Sequence, residues 1–103
     1  MKRKQQQQQG VGFDADDRDA LVAAWEAVPA DDREAAGART PVAAHELRVV
    51  SVLDRLVGRY VDRGGDRVGA LVADDREALV QAAVAARMGA WGHVAKMLGR
   101  LGF

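Results

Sequence analysis

The chain has no cysteine and no asparagine, and only one serine, one threonine, two histidines and two prolines among its 103 residues. Without cysteine there is neither a disulfide framework nor a thiolate metal site. The scarcity of hydroxyls removes nearly every candidate for nucleophilic acyl transfer, because such a nucleophile needs an activating base within hydrogen-bond reach. Ser51 falls opposite the apolar stripe of its helix, with no histidine at helical spacing. His45-Glu46 departs from the zinc-protease pattern, since Val49 stands where the second histidine is required. Asp14, Asp16 and Asp19 loosely follow a calcium loop, but the loop's glycine is missing and Trp25 takes its twelfth position. The expectation is a protein with no enzymatic activity, no metal and no cofactor.

A long apolar run is also absent. No stretch approaches the ~20 residues of a membrane span, and the basic start Met1-Lys2-Arg3-Lys4 leads into glutamines where a signal peptide has an apolar segment. A cytoplasmic protein is expected. Charge of one sign is lacking too, with 15 basic against 15 acidic side chains. Lys2, Arg3 and Lys4 hold three of the positive charges, which leaves the body of the chain slightly acidic. That balance supplies no strong field for gathering nucleic acid. Arginine outnumbers lysine twelve to three amid heavy alanine and valine use, the mark of a GC-rich coding bias.

What is present suffices for one modest core, since 103 residues that are 49% hydrophobic are too few for two ordinary domains. Residues 1–12 form a flexible, basic and glutamine-rich tail, because Gln5 to Gln9 have no apolar face to bury. Residues 13–103 form a single helical domain. Its clearest signal is used three times: Asp16-Asp17-Arg18-Asp19, Asp31-Asp32-Arg33-Glu34 and Asp74-Asp75-Arg76-Glu77. In each an aspartate is placed to cap a helix start, with an acid three residues on to reach back.

Helical periodicity fills the rest. Leu21, Trp25 and Val28 share one face of a helix over 16–28, which Pro29 ends. The second signal starts a turn or so before Gly37. Thr40-Pro41 predicts the cap and first residue of a long helix over 41–63, stopped by Gly64-Gly65. Val42, Val49, Leu53, Leu56 and Tyr60 align on it, and Val50, Val52, Val57 and Val61 widen the stripe. Asp66 is placed to cap a short helix carrying Val68, Leu71 and Val72. A helix over 74–88 is apolar almost all round, with Leu79, Ala82, Ala83 and Ala86 on one side and Val80, Val84 and Met88 on the other, and is therefore expected to be the central helix, covered on all sides. After a break at Gly89, a last helix turns Trp91, Val94, Ala95, Leu98 and Leu101 inward.

The expected fold is therefore all-α, a small bundle of four to five helices whose core is formed by 16–28, 41–63 and 74–88. Two constellations bear on function. Arg48, Arg55 and Arg59 line one edge of the long helix, a ridge suited to an acidic protein partner. Together with a hydrophobic content generous for so small a chain, the ridge points to a non-enzymatic interaction or accessory protein. Such a protein binds another protein or forms a homodimer through its helix faces. The alternative is a small DNA-binding regulator. Residues 82–103 have the outline of a helix-turn-helix, with His93, Lys96 and Arg100 outward on the second helix and Lys2, Arg3 and Lys4 available for phosphates. Glycines at 92 and 99 and the lack of base-reading side chains weigh against it. Arg55→Glu should disable the interaction protein, and Lys96→Ala the DNA binder.

Overall fold

The structure is a computed structural model that describes residues 12–34, 37–38 and 40–103. Apart from Gly12, the tail expected over 1–12 lies outside the described residues. Among those described there are five α-helices and no strand: α1 Ala15–Glu26, α2 Ala30–Arg33, α3 Ala44–Tyr60, α4 Ala73–Arg87 and α5 Trp91–Arg100. The fold is all-α.

All three acidic signals open helices, and all in one register. An alanine is the first helical residue and the paired aspartates are the second and third. The chemistry differs from capping, however. Asp14, Pro29 and Val72 occupy the cap positions, and none makes a side-chain cap hydrogen bond. The aspartates instead place two negative charges in the first turn, against the positive end of the helix dipole, worth about 0.3–1 kcal/mol each at exposed sites.

The long helix also starts differently from its sequence signal. Thr40 and Pro41 precede α3 without opening it, and Ala43 sits at the cap. Glu46 does the work from the third position: its Oε1 accepts the N–H groups of Val42 and Ala43, both at 3.1 Å. This is half of a capping box, with no hydroxyl to complete it. α3 ends at Tyr60, before the double glycine. The short helix expected after Asp66 is replaced by turns. Gly65 lies so near the Arg59 and Gly58 carbonyl oxygens that a Cβ would stand 2.3 and 2.4 Å from them. The chain therefore doubles back over the end of α3, where Arg67 N–H donates to Arg59 O at 2.9 Å.

Helix α1 packs on α3, α3 on α4, α4 on α5, and the short α2 on α5. Leu21, Leu53, Leu56, Leu79, Trp91 and Leu98 are buried at the centre, and Ala78, Ala82 and Ala86 let the neighbours approach α4 closely. The core is broader than the three helices read from sequence, because α5 contributes Trp91, Val94, Met97 and Leu98. Val42, expected on the apolar line of α3, lies ahead of the helix and is exposed. Between α4 and α5 the turn is Met88-Gly89-Ala90. Gly89 adopts φ +70°, so that Gly89 N–H reaches Ala86 O and Ala90 N–H reaches Ala85 O. Gly102 ends α5 in the same way, at φ +92°.

Candidate functional site

The Arg59 side chain leaves the ridge expected on α3 and turns into a polar hub. Its guanidinium bridges Asp17, Asp14 at 3.3 Å and Asp66 at 3.1 Å. Arg67 also reaches Asp14, at 2.6 Å. Beneath them the buried Tyr60 hydroxyl donates to Asp17 Oδ2 and accepts the Asp14 N–H, both at 2.8 Å. Burial pushes the Tyr60 phenol above its ordinary pKa; the Asp14 N–H opposes that shift and the Asp17 carboxylate adds to it. Hydrogen bonds to Asp66 and then Asp17 raise the Arg59 pKa, and the Arg59 guanidinium holds Asp66 below its usual range. The three carboxylates, the phenol and the Arg59 guanidinium are each engaged by another group, Arg67 Nε alone in the hub being buried without a hydrogen-bond partner, and the hub joins α1, α3 and the 62–70 turns. Its chemistry is that of a latch.

A second cluster ties α2 to the start of α3. His45 Nε2 lies 3.0 Å from Asp32 Oδ2, and with Glu46 these residues place three ligand-type atoms within 4.8 Å of one another. They are the group among the described residues best placed to hold a metal ion. Glu46 is already committed to two backbone N–H groups, and both carboxylates carry further interactions. Arg33 completes the joint by donating to the Val28 and Trp25 carbonyl oxygens at the end of α1.

Five of the other residues read as binding candidates face outward. Arg48 and Arg55 are exposed on α3 and make no ion pair among the described residues. His93, Lys96 and Arg100 are exposed on α5, a helix without an acidic residue. At 100° per residue they fall within about 60° of one another. Lys2, Arg3 and Lys4 lie outside the described residues.

Val80, Val84 and Met88, the second apolar side that marked α4 as the central helix, are not covered by a neighbour. With Gln81, Ala85, Ala90 and His93 they line a groove of about 370 Å³ between α4 and α5. Val84 is 49% exposed and Met88 57%. The signal that finds this groove in the sequence is the excess of apolar residues on α4 over what one core face requires. No protein-family model, curated protein or solved structure matches the chain. Its function has to be argued from these surfaces.

Proposed function

We propose that this chain is a non-catalytic, cytoplasmic interaction protein that binds another protein or its own copy through its helix faces. The observation that carries this reading is the α4–α5 groove. Half-exposed Val84 and Met88 stand in contact with water on a helix whose opposite side is already buried, and a protein surface covering them removes that apolar area from water. Arg48 and Arg55 offer a second, cationic face on α3 for an acidic surface. Among the described residues, no helix is long and apolar enough to cross a membrane.

The hub and the Asp32–His45–Glu46 cluster support the non-catalytic part of the reading. A catalytic centre brings an acid, a base and room for substrate together, whereas these polar groups are spent on one another and on helix ends.

DNA binding is the second reading, favoured by one observation: α4, the Gly89 turn and α5 form a tight helical pair with Lys96, Arg100 and the imidazole of His93 exposed on the second helix. Lys96 follows the groove residue His93 by one turn of α5, so its substitution alone does not separate the readings. Titration of labelled duplex DNA at low and moderate salt does. The interaction reading expects no binding beyond what Lys2→Ala/Arg3→Ala/Lys4→Ala abolishes. Salt-sensitive binding that survives that triple change and is lost in Lys96→Ala/Arg100→Ala would overturn it, because phosphate contacts release counterions and would then come from the folded body.

A further inference from the structure

We infer that the α4–α5 groove receives a second copy of this chain, the two α4 helices lying antiparallel about a two-fold axis at Val84. The inference rests on the interaction reading and names the partner. Val80, Val84 and Met88 recur every four residues and form one ridge along α4, of the kind that packs against the ridges of a facing helix. Ala85 and Ala90, also in the groove wall, leave room for a facing backbone. In an antiparallel pair centred on Val84, positions equidistant from it oppose each other. Val84 therefore meets Val84 of the second copy, and Val80 meets its Met88. The ridge is self-complementary, as a two-fold interface requires.

Charge selects both the occupant and its direction. α4 begins with Asp74 and Glu77 exposed, while α5, whose His93 lines the groove, carries Lys96 and Arg100 exposed and no acidic residue. Neither Asp74 nor Lys96 makes an ion pair among the described residues. An antiparallel second copy brings its acidic first turn to the cationic edge, and symmetry repeats the contact. Parallel pairing sets the acidic first turns of the two α4 helices against each other, a costly arrangement. The chain's own basic start is of the wrong sign, because Lys2, Arg3 and Lys4 would meet Lys96 and Arg100.

Sedimentation of the full chain from micromolar to near-millimolar concentration tests this. The mass is expected to rise from 11.1 kDa towards twice that value. Val84→Glu should weaken association by at least about tenfold, because two like charges would meet at the axis. It should still unfold cooperatively, since the site is half-exposed and glutamate is the better helix former. Glu77→Lys and Lys96→Glu should each weaken self-association, and their equimolar mixture should restore it, because both contacts in the mixed dimer are again opposite in sign. A dimer indifferent to Val84→Glu overturns the inference and leaves the interaction reading standing through another face. Failure of the mixture to recover overturns the antiparallel register. A chain monomeric throughout overturns the inference, and if it also binds duplex DNA in the salt-sensitive manner described above, the interaction reading falls with it.

Discussion

Tyr60→Phe deletes a single oxygen from the hub and leaves the packing of the ring in place. The ring is fully buried and meets Phe13 edge-on with centroids 5.0 Å apart, contacts that phenylalanine keeps. Two hydrogen bonds are lost, the one given to Asp17 and the one taken from Asp14 N–H, each at 2.8 Å. A bond to a charged group is worth about 1.5–3 kcal/mol net, and an orphaned buried donor costs about 1–3 kcal/mol. Asp17 keeps its Arg59 partner, so the lower part of the combined range applies. The expected loss is about 2–3 kcal/mol, or a fall in melting temperature of about 10–20 °C for a domain of this size. Urea unfolding followed by far-UV circular dichroism should show a lower midpoint at unchanged slope. The pH dependence has a fixed sign. Because the folded phenol pKa is raised, the contribution is fully present below the unfolded value near 10 and is lost as pH rises through the folded one. The gap between wild type and variant should therefore be constant near neutrality and shrink in alkali. A variant within about 0.5 kcal/mol of wild type, or a gap that widens in alkali, would refute the hub as the latch between α1 and α3.

Other changes test other joints. Glu46→Ala removes the acceptor of two N–H groups ahead of α3 and should cost about 1–2 kcal/mol in denaturant unfolding, with Glu46→Gln milder because an amide oxygen still accepts. Gly99→Ala should raise the melting temperature, worth about 0.5–1 kcal/mol, since a Cβ there meets nothing within 4 Å. Gly89→Ala should lower it by an amount equivalent to about 1–2 kcal/mol, because φ +70° is left-handed backbone. The depressed pKa of Asp66 means a contribution present above the unfolded value and lost as pH falls through the folded one. Asp66→Asn should therefore flatten part of the acid limb of a stability–pH curve.

The helices were legible because the signals that set them are local. The Ala-Asp-Asp-Arg register and the 3.6-residue recurrence of Leu53, Leu56 and Tyr60 need no tertiary information. Leu79, Ala82 and Ala86 were equally correct as the buried side of α4. The errors arose where a residue's role depends on a distant partner. A helical wheel places Arg59 beside Arg55, yet it cannot show that Asp14 and Asp17 arrive from 45 and 42 residues away. Asp66 looked like a cap because the wheel is blind to the fold-back at Gly65 that hands it to Arg59. Thr40-Pro41 lost to Glu46 for a physical reason: a carboxylate holding two N–H groups outcompetes a single hydroxyl. The groove escaped notice because surplus apolarity on α4 was read as burial on all sides, when α5 covers only one flank.

The turn at Gly89 and the hub at Tyr60 also differ in the length of chain each must close. Helices α4 and α5 are joined by three residues, so their pairing needs almost no loop closure, whereas the Tyr60–Asp17 bond spans 43 residues. Contacts of short span form early and those of long span late, because closure entropy is paid before a distant contact returns anything. The molecule should therefore fold from its C-terminal pair outward and fasten α1 last. A weakened latch would then leave the folding rate nearly unchanged and appear as faster unfolding. The lifetime of the native state is in that case governed by one phenol and the two carboxylates of α1 and its cap that gather around it.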